Sequence, residues 1–209
     1  KQGTLVISVD RLAEYYSFEA HGWERLALLK ARCIAGTFSI GNRVMTKLRG
    51  IFEQVPLRSQ DLDNILILRE RLAEDGGNGH LKTSPGGMLD IEFIARLLEW
   101  RHVSAFDLGI TTGTLEVLLR LVGLGDLSND DYQILSEGYR FLRRVENRLR
   151  IAEGTSVSSL PEDPTELEDL TRRLQLSRDV LTETSQRQQS IRAIYERVIA
   201  DLRGNLVDG

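Results

Sequence analysis

Lys82-Thr83-Ser84-Pro85-Gly86-Gly87 runs directly into Met88-Leu89-Asp90-Ile91-Glu92-Phe93, so a lysine and two glycines precede a helical pattern with two carboxylates in its first turn. That order of residue types suits a phosphate. Glycines remove side-chain obstruction, and the free amides at a helix start favour anions. A plainer reading stays open beside it. A glycine-rich turn before a helix can be only a turn, and Asp90 or Glu92 can simply complement the helix dipole.

A second candidate lies in Trp23-Glu24-Arg25-Leu26-Ala27-Leu28-Leu29-Lys30-Ala31-Arg32. On a wheel of about 100° per residue, Trp23, Leu26, Ala27, Leu29, Cys33 and Ile34 define one apolar arc, with Lys30 near its middle. Arg25 and Arg32 project from the opposite side, as solvated residues do. Two readings of Lys30 follow. Its stem covers apolar surface while the ammonium reaches water, or the ammonium meets a phosphate or carboxylate in a cleft.

The third is Phe141-Leu142-Arg143-Arg144-Val145-Glu146-Asn147-Arg148-Leu149-Arg150, where Leu142, Val145 and Leu149 form a buried stripe. Arg143, Glu146, Asn147 and Arg150 share another face at i, i+3, i+4 and i+7. A solvated ladder of that kind contributes only about 0.2–0.5 kcal/mol per ion pair and implies no function. Asn147 is a poor helix former, which leaves open that this face docks on another domain or a substrate.

These candidates need elements to hold them. Thr4-Leu5-Val6-Ile7-Ser8 reads as one β-strand, and Asp10 as the start of a helical pattern that Gly22 breaks or bends. Helical spacing then recurs at about 22 to 35, 38 to 54, 58 to 75, 88 to 102, 113 to 123, 129 to 153, 164 to 175 and 179 to 203. The last segment, with Gln186, Gln188 and Gln189, reads as a peripheral helix. Loops are marked by Asp75-Gly76-Gly77-Asn78-Gly79 and Thr83-Ser84-Pro85-Gly86-Gly87, and a domain boundary is placed near residue 80. The expected fold class is mainly α, a helical bundle.

Composition narrows the function classes. A net charge of −4 argues against a general nucleic-acid binder. No apolar run approaches the roughly 20 residues of a membrane span, and a cytoplasmic protein is expected. Cys33 is the single cysteine and His21, His80 and His102 are the three histidines, none in a metal-ligand spacing. Cys33 is expected in the core.

Taken in order and at these separations, the strings GTLVIS, WERLALLKAR, KTSPGGMLDIEF and FLRRVENRLR resemble bacterial glutamine synthetase adenylyltransferase through most of the chain. The resemblance implies tandem nucleotidyltransferase domains, each followed by a helical domain. One half attaches AMP from ATP to a tyrosine of glutamine synthetase, and the other removes it by phosphorolysis. Leu89 stands where amino-terminal halves tend to carry arginine, which favours the carboxy-terminal, adenylylating half. On this reading residues 1–80 are the remainder of a truncated nucleotidyltransferase α/β domain, with the strand at 4 to 8 its last, and residues 81–209 are the helical bundle.

The resemblance also implies site roles. The Mg²⁺-binding aspartates are expected before Lys1, so this chain is expected to hold no catalytic or metal-ligating residue, to bind no cofactor alone and to be inactive alone, although the parent enzyme uses Mg²⁺ and ATP. Lys1, Gly3, Lys30, Lys82, Gly86 and Gly87 are the nucleotide- or phosphate-binding candidates, with Asp90 or Glu92 orienting a lysine. Arg143, Arg144, Glu146, Asn147 and Arg150 are assigned to a domain or partner interface. Expected partners are glutamine synthetase and the PII signal protein, with no nucleic acid and no membrane. A second reading makes residues 88 to 209 a regulatory module that binds PII or glutamine. A third, a uridylyltransferase that modifies PII, matches WERLALLKAR and FLRRVENRLR less well.

Overall fold

The structure is a computed structural model that describes residues 6–77, 79–107, 113–153 and 157–206. Among these residues there are nine α-helices and no strand. Two short helices come first: α1, Val9–Glu14, which runs on into a π-helical turn, Tyr15–Glu19, and α2, Gly22–Leu28. Then come α3, Phe38–Gln54, and α4, Ser59–Gly76. The glycine loop leads into α5, Met88–Arg101, followed by α6, Thr114–Leu124, and α7, Asn129–Glu153. α8, Pro164–Arg173, and α9, Val180–Asn205, complete the order.

The mainly α expectation holds, and the patterns at 38 to 54 and 129 to 153 give α3 and α7 with those bounds. Of the strand expected at residues 4 to 8, Thr4 and Leu5 lie outside the described residues. Val6 to Ser8 take no strand pairing, and the Ser8 hydroxyl instead accepts from the Arg11 amide to cap α1.

α5 is the centre of the bundle. Met88, Ile91, Ile94, Ala95, Leu97, Leu98 and Trp100 are all buried, so the helix is apolar nearly all round, as a helix with neighbours on every side must be. It packs on α6, α7 and α9, and on α2 near its start. Each fully buried aliphatic or aromatic side chain contributes roughly 1.5–3 kcal/mol. The Trp100 ring meets Phe52 of α3 edge-on, with centroids 5.7 Å apart, and its indole N–H donates to the Val55 carbonyl at 3.1 Å. Leu26, Leu29, Phe52, Leu62 and Ile65 share one apolar core with Ile91, Leu142 and Ile194.

Three expectations are corrected. α9 is not peripheral: Val180, Ile191, Ile194, Tyr195 and Leu202 are buried against α5 and α7, and only one polar face, with Gln186 and Gln189, looks outward. The helix expected at 22 to 35 stops at Leu28, because the Lys30 and Ala31 amides donate to the Ala27 and Leu28 carbonyls, tight i→i+3 bonds that end it. Cys33 therefore leaves the helical wheel and is exposed, with its thiol donating to the Ala35 carbonyl. Arg25 is not solvated. It is buried beside Asp61 at 3.4 Å and donates to the Tyr16 and Ser17 carbonyls, satisfying oxygens that the π-turn leaves open.

Among the described residues, no helix is long and apolar enough to cross a membrane.

Candidate functional site

The glycine loop is tied down at both ends. The Leu81 amide donates to the Ser158 carbonyl at 2.7 Å and the Leu160 amide to the Gly79 carbonyl at 3.1 Å, so the segment before α5 pairs with the segment after α7. His80 holds the turn from inside. Its Nδ1 accepts from the Lys82 and Thr83 amides, and burial, with a smaller push from the Lys82 charge and against the pull of Glu146, holds the imidazole below its ordinary pKa.

Gly86 and Gly87 have an internal structural cause. Gly86 adopts φ of 74°, and a Cβ there would sit 1.9 Å from the Gln188 carbonyl oxygen, so α9's backbone occupies the space the glycine leaves. A Cβ on Gly87 would meet the Lys82 and Ser84 carbonyls at 2.7 and 2.8 Å. Both are buried, and the Gly86 amide is already given to Asp90 at 2.7 Å. The open approach that a bound phosphate needs is filled on these faces by the chain itself.

Asp90 and Glu92 are two residues apart on α5, so their side chains diverge by about 200° and serve different networks. Asp90 is fully buried. It accepts from Arg69 Nε of α4 at 2.6 Å and lies 3.4 Å from Arg192 of α9, while Arg69 also donates to the Ser84 carbonyl at 3.0 Å. Asp90 thus orients two arginines and the loop, and no lysine. Tyr195, packed beside it, has its phenol pushed up to about 12, first by burial and then by the Asp90 charge.

Glu92 points the other way. One oxygen takes the Lys30 ammonium at 2.5 Å; the other accepts the Tyr139 hydroxyl at 3.3 Å and lies 3.6 Å from Arg143. Arg143 donates to the Tyr139 oxygen at 3.0 Å and to Glu146 at 3.1 Å. Glu146 also accepts from Arg150 at 2.9 Å and from the Ser158 hydroxyl at 2.7 Å. A continuous polar chain therefore runs Lys30, Glu92, Tyr139 and Arg143, Glu146, Arg150 and Ser158.

Its centre and its ends differ. Glu146 is fully buried, whereas the Lys30, Arg143 and Arg150 side chains are each 42% exposed. Glu146 is therefore no member of a solvated ladder; the arginines shield it and present their outer edges to water. Arg144 and Asn147 lie outside the chain, exposed on α7 along a groove between α6 and α7. Lys82 is exposed and makes no ion pair among the described residues. Lys1 and Gly3 lie outside the described residues.

Sequence reasoning missed Tyr139, Ser158, Arg69 and Arg192. Tyr139 stands four residues before Arg143 on one helix, a spacing that could have revealed it. The other three come together only through tertiary packing. Among the described residues, no group of three or more His, Cys, Asp or Glu side chains is placed to hold a metal ion.

Residues 68–202 match the family model for GlnD PII-uridylyltransferase, and residues 1–47 match that for glutamate-ammonia ligase adenylyltransferase. A bifunctional glutamine synthetase adenylyltransferase/adenylyl-removing enzyme of Leifsonia xyli is 31% identical over 95% of this chain. The chain belongs to the glutamine synthetase adenylyltransferase family. Enzymes of the same description from Streptomyces coelicolor and from Xanthomonas campestris (strain B100) are each 33% identical, over 87% and 79% of this chain. The chain spans about a fifth of the length of these curated relatives: 20%, 19% and 18%. That the two family models meet on one chain fits its motifs, since the glycine loop and α5 fall inside the first match and the strings before Gly36 inside the second.

Proposed function

We propose that this chain is part of an adenylyltransferase that transfers AMP from ATP to a tyrosine of glutamine synthetase, and that it supplies supporting and substrate-presenting residues for that transfer. In the reaction the tyrosine oxygen bonds to the α-phosphorus, the bond to the leaving pyrophosphate breaks, and the hydroxyl proton is lost. Charge on the phosphates must be neutralised throughout, which is work for cations held in place beforehand.

The observation that carries the reading is the polar chain from Lys30 to Arg150. It joins three of the four sequence strings that mark the resemblance, one each from the turn after α2, from α5 and from α7. Glu92 holds Lys30 at a fixed place with its ammonium part-exposed, so the cation is ready for a phosphate without a search through rotamers. Lys82, without a carboxylate of its own, is the second phosphate candidate. Gly86 and Gly87 shape the loop that carries Lys82 and do not touch the ligand. Arg144, Asn147 and the outer edges of Arg143 and Arg150 are the surface for the catalytic domain or the synthetase.

Mg²⁺ would neutralise the pyrophosphate when bound. The carboxylates Asp90, Glu92 and Glu146 do not suit it, since each is already committed to one or more cationic side chains. No metal step runs through them.

The test is adenylylation of glutamine synthetase by the full-length enzyme carrying Lys82→Ala or Glu92→Gln. A loss of about tenfold or more in kcat, with the helical content unchanged, is expected for each. Wild-type rates in both variants would overturn the assignment. Binding of PII or glutamine to the 209-residue chain, with no binding of the synthetase, would move the reading to a regulatory module.

A further inference from the structure

On α7, Arg140, Arg144 and Arg148 recur at i, i+4 and i+8, so they line one edge of the helix at steps of about 6 Å over about 12 Å. All three are exposed, and among the described residues none forms an ion pair with a carboxylate. They border the groove between α6 and α7, a cleft of about 520 Å³ whose lining includes the apolar Leu115 and the 75%-exposed Ile151. Among the described residues, none that lines that groove is acidic. Glu137 lies in an adjoining hollow with Arg140, Arg144 and Arg187 and pairs with none of them.

We propose that this groove docks an acidic helical segment of a partner protein, with carboxylates facing Arg140, Arg144 and Arg148 and one apolar side chain resting on Leu115 and Ile151. The inference rests on the reading of α7 as a partner-facing helix and gives that surface its chemistry. Charge complementarity carries it: unneutralised arginines in register call for carboxylates in the same register, since an acidic helix repeats at the same 6 Å step. A nucleotide fits less well. Its phosphates need donors that converge on one point, as in the bidentate forks that hold phosphate. Here the cations are strung along a line, and Arg143, which stands among them, already serves Tyr139 and Glu146.

The probe is a labelled, helix-favouring synthetic peptide with glutamate at i, i+4 and i+8 and a leucine on the same face, titrated by fluorescence anisotropy into the 209-residue chain. A control peptide carries glutamine in place of glutamate. The glutamate peptide is expected to bind, and to weaken at least about tenfold on raising the salt from about 0.05 to 0.2 M. Arg140→Glu/Arg144→Glu/Arg148→Glu is expected to abolish binding with an unchanged melting temperature.

No binding, equal binding of the glutamine control, or full binding by the triple variant would each overturn the proposal. So would displacement of the peptide by ATP or pyrophosphate in the wild type, which would make the groove a phosphate site. Lys82→Ala, which is not among the residues that line the groove, is expected to leave peptide binding unchanged, so failure of the activity reading and failure of this one are told apart.

Discussion

Arg69 and Asp90 meet at 2.6 Å with side chains only 3% and 0% exposed, joining α4 to the first turn of α5 beneath the glycine loop. An ion pair so deeply buried is stable only while both partners remain. Arg69→Ala leaves the Asp90 charge facing Arg192 alone, part-exposed and 3.4 Å away. A loss of about 3–5 kcal/mol is expected, read from the urea midpoint. Arg69→Met with Asp90→Asn, which removes both charges and leaves an amide oxygen to accept from the Gly86 N–H, should recover part of it.

Gly86→Ala is expected to cost roughly 3 kcal/mol or more, because strain at φ of 74° adds to a clash with the Gln188 carbonyl. Thermal unfolding checks it. Gly77 also has positive φ but has open space around its Cβ position, so Gly77→Ala should carry the strain without the clash and cost less.

Stability should fall on mild acidification. His80 is held below its ordinary pKa of 6.5 in the folded chain, so the unfolded chain binds its proton first as pH drops. The His80 contribution is present above pH 6.5 and is lost as pH falls through the folded value. An NMR titration should place the His80 midpoint below 6.5, with the Lys82 and Thr83 amide signals moving in the same step, since both amides donate to its Nδ1.

The contact between Lys30 and Glu92 should matter little to stability. With the lysine side chain 42% exposed, a double-mutant cycle of Lys30→Met and Glu92→Gln is expected to give a coupling below about 1 kcal/mol. Coupling well above that would mean that the pair is a structural staple, and would remove the reason for assigning Lys30 to a ligand.

The helices were legible because their apolar spacing is regular: α3 and α7 carry the bounds that periodicity predicts. What failed was local. A wheel drawn through Cys33 assumed that a helix continues past Leu28, and nothing in WERLALLKAR signals the tight turn that ends it. Arg25 read as solvated because its partners, Asp61 and two carbonyls of the π-turn, belong to other elements. Likewise Asp90 and Glu92 were both visible as first-turn carboxylates, but which cations each would take is decided by α2, α4, α7 and α9. The glycine pair was read for an outside ligand, while the cause of Gly86 is the backbone of α9.

The pairing of residues 79–81 with 158–160 also bears on the order of folding. The two strips are remote in sequence, and their closure brings together the ends of the α5–α6–α7 unit, so its entropic cost is best met once those helices have assembled. The glycine loop should thus be among the last parts of the chain to take shape. In pulsed hydrogen exchange during refolding, the Leu81 and Leu160 amides are expected to gain protection together, later than those of α5.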